Sequence, residues 1–115
     1  MNDITQSVFV SVIRNVLSGS EAIAFFEDQK LKVQCSWSQE VPGRADTVHL
    51  QRTIVFAREL TDDFPNEDHY TQDQVLIRLA DHLRTALDQL TKVLARAPHA
   101  VPNDAEWFIG SKLLR

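Results

Sequence analysis

The chain has one cysteine, Cys35, and only three glycines, four prolines and one tyrosine. A lone cysteine excludes an intramolecular disulfide and any multi-cysteine zinc site. Three glycines can hardly supply a GxGxxG fingerprint, and no P-loop pattern occurs. Basic clusters are also absent, and the net charge is −4. Sequence-independent nucleic-acid binding needs several cations aimed at phosphates, so no nucleic-acid partner is expected. No apolar run approaches the ~20 residues that span a bilayer. The opening MNDITQSVFVSVIRN carries Asp3 and no basic n-region, which makes it a poor signal peptide. The expectation is no membrane partner and a cytoplasmic location. His49, His69, His82 and His99 show neither HxxxH nor HExxH spacing, and no GxSxG elbow supports a hydrolytic triad. Neither a metal nor a cofactor is expected.

What is present suits one compact unit. The 115 residues are 43% hydrophobic and 24% charged, the composition of a globular chain long enough to own a core. We read residues 1–115 as a single α+β domain.

Residues 3–18 fit a helix, with Ile4, Val8, Val12, Ile13, Val16 and Leu17 at helical spacing, a capping box of Asp3 with Gln6, and Gly19 at the C-terminal cap. The alternation of Val8, Val10 and Val12 argues the other way, since β-branched residues lower helix propensity. Two-residue alternation is cleanest at Leu31, Val33, Cys35 and Trp37. Ala22 to Phe26 joins that strand through a Glu27-Asp28-Gln29 turn. VPGRAD, residues 41–46, is a turn in which Pro42 presets φ and Gly43 supplies a positive φ. Thr47 to Leu60 (TVHLQRTIVFAREL) then reads as a third long strand. Three strands with short connections predict an antiparallel meander. The alternation also predicts its register: Trp37 opposite Leu50, Cys35 opposite Arg52, Val33 opposite Ile54 and Leu31 opposite Phe56. A slip of one residue would mix the two faces.

Residues 71–97 predict a long helix, capped by Thr71 and Gln74 and ended by Pro98. Leu76, Leu79, Leu83, Ala86, Leu87, Leu90, Val93 and Leu94 form its apolar stripe. Such a helix spans about 40 Å against about 33 Å for a ten-residue strand, so its far end needs a cover. The first helix, the tail or a second copy are the candidates. After Pro102, NDAEWFIGSKLLR suggests a short terminal helix with Asn103 and Glu106 as its capping box, docked through Trp107, Phe108, Ile109, Leu113 and Leu114. The expected fold is a three-stranded antiparallel meander packed on one face by the long helix, in the order α-β-β-β-α-α.

Arg52 stands in the middle of the third strand's apolar face. A buried guanidinium needs a carboxylate, a phosphate or several carbonyls. The structural reading pairs it with an acid, stacks it on Trp37 or lets it snorkel to an edge. One functional reading has Arg52 lower the pKa of Cys35 opposite it and activate the thiol. Another has it hold an anion in a pocket with Cys35 and Trp37. We favour the ion pair. The segment 59–73 reads as an acidic loop carrying Asp62, Asp63, Glu67 and Asp68, either a solvated connection or a docking surface for a basic partner. The polar outer sheet face, Lys32 to Val55, lacks aromatics among its predicted residues.

Together these features favour a non-enzymatic interaction protein: a small acidic adaptor, regulator or chaperone-like protein of bacterial type, acting on a protein partner. The over-long helix points to a homodimer through Leu87 and Leu94. The rivals are a small-anion-binding domain or minor enzyme around Arg52 and Cys35, and an acidic mimic that inhibits a nucleic-acid-binding protein through Asp62, Asp63, Glu67 and Asp68.

Overall fold

A computed structural model describes residues 3–41, 43, 45, 47–97 and 105–114. Its elements in chain order are α1 (Asp3–Val16), β1 (Glu21–Glu27), β2 (Lys30–Glu40), β3 (Thr47–Phe56), α2 (Arg58–Asp63), α3 (His69–Arg96) and β4 (Glu106–Ile109). Short 3-10 turns lie at Phe64–Asn66 and Ser111–Leu114. The α+β class and the helix, three strands, then helices are as the sequence implies. A fourth strand is added, and the sheet order is β1-β2-β3-β4.

Helical burial overrides the valine alternation in α1. Thr5, Phe9, Ile13 and Leu17, spaced four apart, are buried. The buried stripe is thus rotated from the expected one, and Ile4 is 70% exposed. Phe9 stacks on Phe56, with centroids 5.0 Å apart, and meets Phe64 edge-on at 5.0 Å. This aromatic knot joins α1, β3 and the 3-10 turn after α2. The helix ends before Gly19, whose φ of 74° only glycine adopts at no steric cost.

β1, β2 and β3 form the antiparallel meander, joined by an Asp28-Gln29 turn and by the loop at Gly43, whose φ is 82°. The β2–β3 register is the expected one: Val33↔Ile54, Cys35↔Arg52 and Trp37↔Leu50. It gathers Leu31, Val33, Cys35, Trp37, Leu50, Arg52, Ile54 and Phe56 on the covered face, all buried.

Three expectations need correcting. The third strand stops at Phe56 rather than Leu60, because the chain turns at Ala57 into α2, which buries Leu60 and Thr61. The acidic segment is therefore mostly helical, with Asp68 as the N-cap of α3. Its carboxylate accepts from the Thr71 N–H at 2.7 Å, so the cap lies three residues before the expected Thr71. The terminal segment pairs as a strand: β4 runs parallel to β3, with Trp107 opposite Ile54 and Ile109 opposite Phe56. A parallel partner needs a long crossover, and α2 with α3 supplies it. The Ile109 carbonyl also accepts from the Ala57 N–H at 2.8 Å, and Arg78 donates to the Leu113 carbonyl at 2.9 Å. The expected caps at Pro98 and Asn103, the Asp3 side chain and Pro42 lie outside the described residues.

Candidate functional site

The covered face answers the question of Arg52. Its side chain is buried, at 3% exposure, beside the fully buried Cys35. The guanidinium lies 6.0 Å from the centroid of the Trp107 ring, and Nη1 donates to the Gln51 carbonyl at 2.6 Å. Trp107 is in turn 6.1 Å from Trp37, whose Nε1 donates to Gln39 Oε1 at 3.1 Å. The guanidinium thus lies within cation–π range of an aromatic ring, that of Trp107 on β4 rather than Trp37. Guanidinium planes suit this because they are weakly hydrated and attracted by the ring quadrupole. Trp107 was legible as an apolar residue of the tail, but its place beside Arg52 follows only from the parallel pairing of β4.

Cys35 is not arranged for nucleophilic work. Its Sγ contacts the Val33 carbonyl at 3.7 Å, and burial pushes the thiol up to about 11. Thiolates are the reactive species, and lowering their pKa needs an electropositive, accessible setting. Among the described residues no group of three His, Cys, Asp or Glu side chains is placed to hold a metal ion.

The residues expected to meet a partner separate into two sets. Leu94 is 1% exposed and Leu90 8%, in the same buried cluster as Leu17, Trp37, Val41 and Leu50, while Leu87 is half-buried against it. The far end of the helix is therefore covered from within the chain, and Leu94 is a core residue rather than part of a surface that a second copy could meet. The acids are exposed to differing degrees. Asp62 is bridged by Arg58 at 3.3 Å, and Asp68 is engaged by Thr71, whose amide holds its carboxyl below the usual range. Asp63 is exposed and Glu67 half-buried.

The sheet's open face, expected from the sequence to be polar and free of aromatics, gains apolar residues from β1 and β4. Pairing places Phe25, Lys32, Val55 and Phe108 in one row across all four strands. Ile23 begins the adjacent row, followed by Gln34, Thr53 and Glu106. The open face is therefore aromatic at both margins, contrary to expectation. Phe108 is 57% exposed and Ile23 66%, whereas Val55 between the margins is only 6% exposed. The Lys32 side chain is only 12% exposed, its ammonium held 2.7 Å from Glu27, a hydrogen bond that raises its pKa. A lysine stem can cover apolar surface while its charge stays wet. Lys30 reaches to 6.0 Å from the Phe108 centroid. The signal lay in Phe25 and Phe108, but only the outer strands bring them to one face.

Compared with family models, curated proteins and solved structures, the chain matches none. Among the described residues, no helix is long and apolar enough to cross a membrane.

Proposed function

We propose that the chain is a non-enzymatic interaction protein, an adaptor, regulator or chaperone-like factor that acts as a homodimer and binds a protein partner on the open face of its sheet. One observation carries the reading. The Phe25–Lys32–Val55–Phe108 row spans the sheet on the side away from α1 and α3, and Ile23 and Phe108 remain more than half exposed there. Large apolar side chains left exposed among polar ones are a frequent mark of binding surfaces. The polar neighbours Gln34, Thr53 and Gln51 add hydrogen-bonding capacity without fixed charge.

The rival small-anion or enzymatic reading finds less support. Cys35 holds its proton, and Arg52 is packed against Trp107 inside the core. Acidic mimicry loses part of its charge, because Asp62 and Asp68 already serve Arg58 and the helix cap.

Site-specific photocrosslinking tests the proposal. A photoreactive residue replaces Phe108 on the open face or Gln89, which is exposed on α3. Discrete adducts from position 108 and none from position 89 are expected, and they should disappear when Phe25→Ser is added. Equal yields from both positions, or no adduct from 108, would sink the reading.

A further inference from the structure

β1 reads EAIAFFE and lies at the margin of the sheet, with only β2 beside it among the described residues. Sheet edges are commonly blunted by lysine, proline, bulges or short strands. β1 has seven residues, no lysine and no proline, and its register with β2 runs without a bulge from Glu21↔Ser36 to Glu27↔Lys30.

The turn fixes which backbone groups face outward. Asp28 and Gln29 have φ of 54° and 64°, the type I′ geometry. A turn of this type closes on a hydrogen-bonded pair, here Glu27 and Lys30. Hydrogen-bonded pairs alternate along an antiparallel ladder. Glu21, Ile23, Phe25 and Glu27 therefore direct their N–H and C=O groups into β2. Ala22, Ala24 and Phe26 direct theirs out of the sheet. Arg58 Nη1 anchors the turn through Gln29 Oε1 at 2.6 Å, which steadies this parity.

We propose that β1 is a homodimerisation edge: two copies pair antiparallel about a two-fold axis through Ala24, making one eight-stranded sheet. The inference rests on the homodimer reading above and supplies its interface. Three features commit the edge to a second copy. An axis through Ala24 pairs the outward groups of Ala22, Ala24 and Phe26 all with one another, whereas an axis through Ile23 or Phe25 leaves Phe26 or Ala22 opposite a residue beyond the end of the strand. On the covered face, Phe26, 52% exposed, then lies opposite the small Ala22 of the second copy. On the open face, Ile23, 66% exposed, lies opposite Phe25 of the second copy at a non-hydrogen-bonded position. Side chains approach most closely at such positions, and aromatic–β-branched pairs are favourable there. One symmetry operation thus covers both exposed apolar side chains of β1, Ile23 and Phe26, and runs each Phe25 row into the Ile23 row of the second copy.

The same pairing sets Glu21 against Glu27 of the second copy at each end. Lys32, 2.7 Å from Glu27, offsets part of that repulsion. Salt screens what remains, so added salt tightens this dimer, whereas it would weaken the grip of an acidic edge on a basic peptide.

Sedimentation equilibrium of the full chain tests the proposal at low and high salt. The expected species has twice the 13.1 kDa chain mass, and its association strengthens with salt. Ala24→Pro removes one outward N–H at a position where an edge strand tolerates proline, and it should leave a monomer with unchanged circular dichroism. Ile23→Glu should do the same from the side-chain side, which keeps the test open if the proline variant does not fold. Glu21→Lys replaces the like-charge pair by an attractive one, so it should tighten the dimer at least several-fold at low salt and reverse the salt dependence. A dimer that survives both Ala24→Pro and Ile23→Glu overturns the β1 interface while leaving the homodimer standing. A wild-type chain that stays monomeric at every concentration overturns both.

Discussion

The two sides of the same sheet are built to different rules. On the helix side, alternate residues of β2 and β3 are almost completely buried, and even the cation among them, Arg52, is packed against Trp107. The margin at β4 is only four residues long and is followed by a 3-10 turn held by Arg78. On the other side, among the described residues, no helix lies over the row from Phe25 to Phe108, and the seven-residue margin at β1 carries charge only at its ends, Glu21 and Glu27. Stability is concentrated on the covered side. The open side holds apolar surface and backbone groups that the isolated chain does not use, which is where binding is expected.

Substitutions should expose that difference, most strongly on the covered side. Phe9→Ala removes the ring that stacks on Phe56 and meets Phe64 edge-on, and should cost about 3–5 kcal/mol, read as a lower denaturation midpoint. Arg52→Ala, which strips Trp107 of its nearby cation and leaves a void in the core, should cost about 2–3 kcal/mol. An Arg52 variant of wild-type stability would show that the covered face is not closed around it. Phe108→Ser should cost under about 1 kcal/mol, since the ring is mostly in water, yet it should abolish partner crosslinking from the open face. A large stability loss there would mean that the open side is structural after all.

The smallest effect belongs to neither face. The Thr71 amide holds the Asp68 carboxyl below its ordinary pKa, so folding favours the charged form. The cap is fully effective above the unfolded-state pKa and is lost as pH falls through the folded one. Asp68→Ala should lower the melting temperature slightly at neutral pH and leave it unchanged in strong acid. A constant difference at every pH would show that the carboxylate charge is irrelevant to the cap.

Much of the covered side was legible in the sequence because it repeats a simple period. Alternation in LKVQCSW and VHLQRTIVF fixes which face each residue takes, and with the short VPGRAD loop it implies the pairing of Arg52 with Cys35 that the ladder shows. The open side was not legible, because it depends on which strands lie at the margins. EWFI is too short for its period to separate strand from helix, and Asn103 with Glu106 imitated a helix start. Its parallel pairing with β3 is set by a contact some fifty residues away in the chain, beyond the reach of local patterns. The same limit explains RELTDD, where burial of Leu60 and Thr61 turns the chain into α2. The far end of α3 needs no second copy because Leu90 and Leu94 are buried in one cluster with Leu17, Trp37, Val41 and Leu50.

Amide hydrogen exchange in β1, followed as protein concentration rises, tests the central claim most directly. The amides of Ile23 and Phe25 face β2 and should be protected at every concentration. Those of Ala22, Ala24 and Phe26 should exchange quickly in dilute solution and become protected together as the dimer forms. Fast exchange at all three positions in concentrated solution would contradict the account.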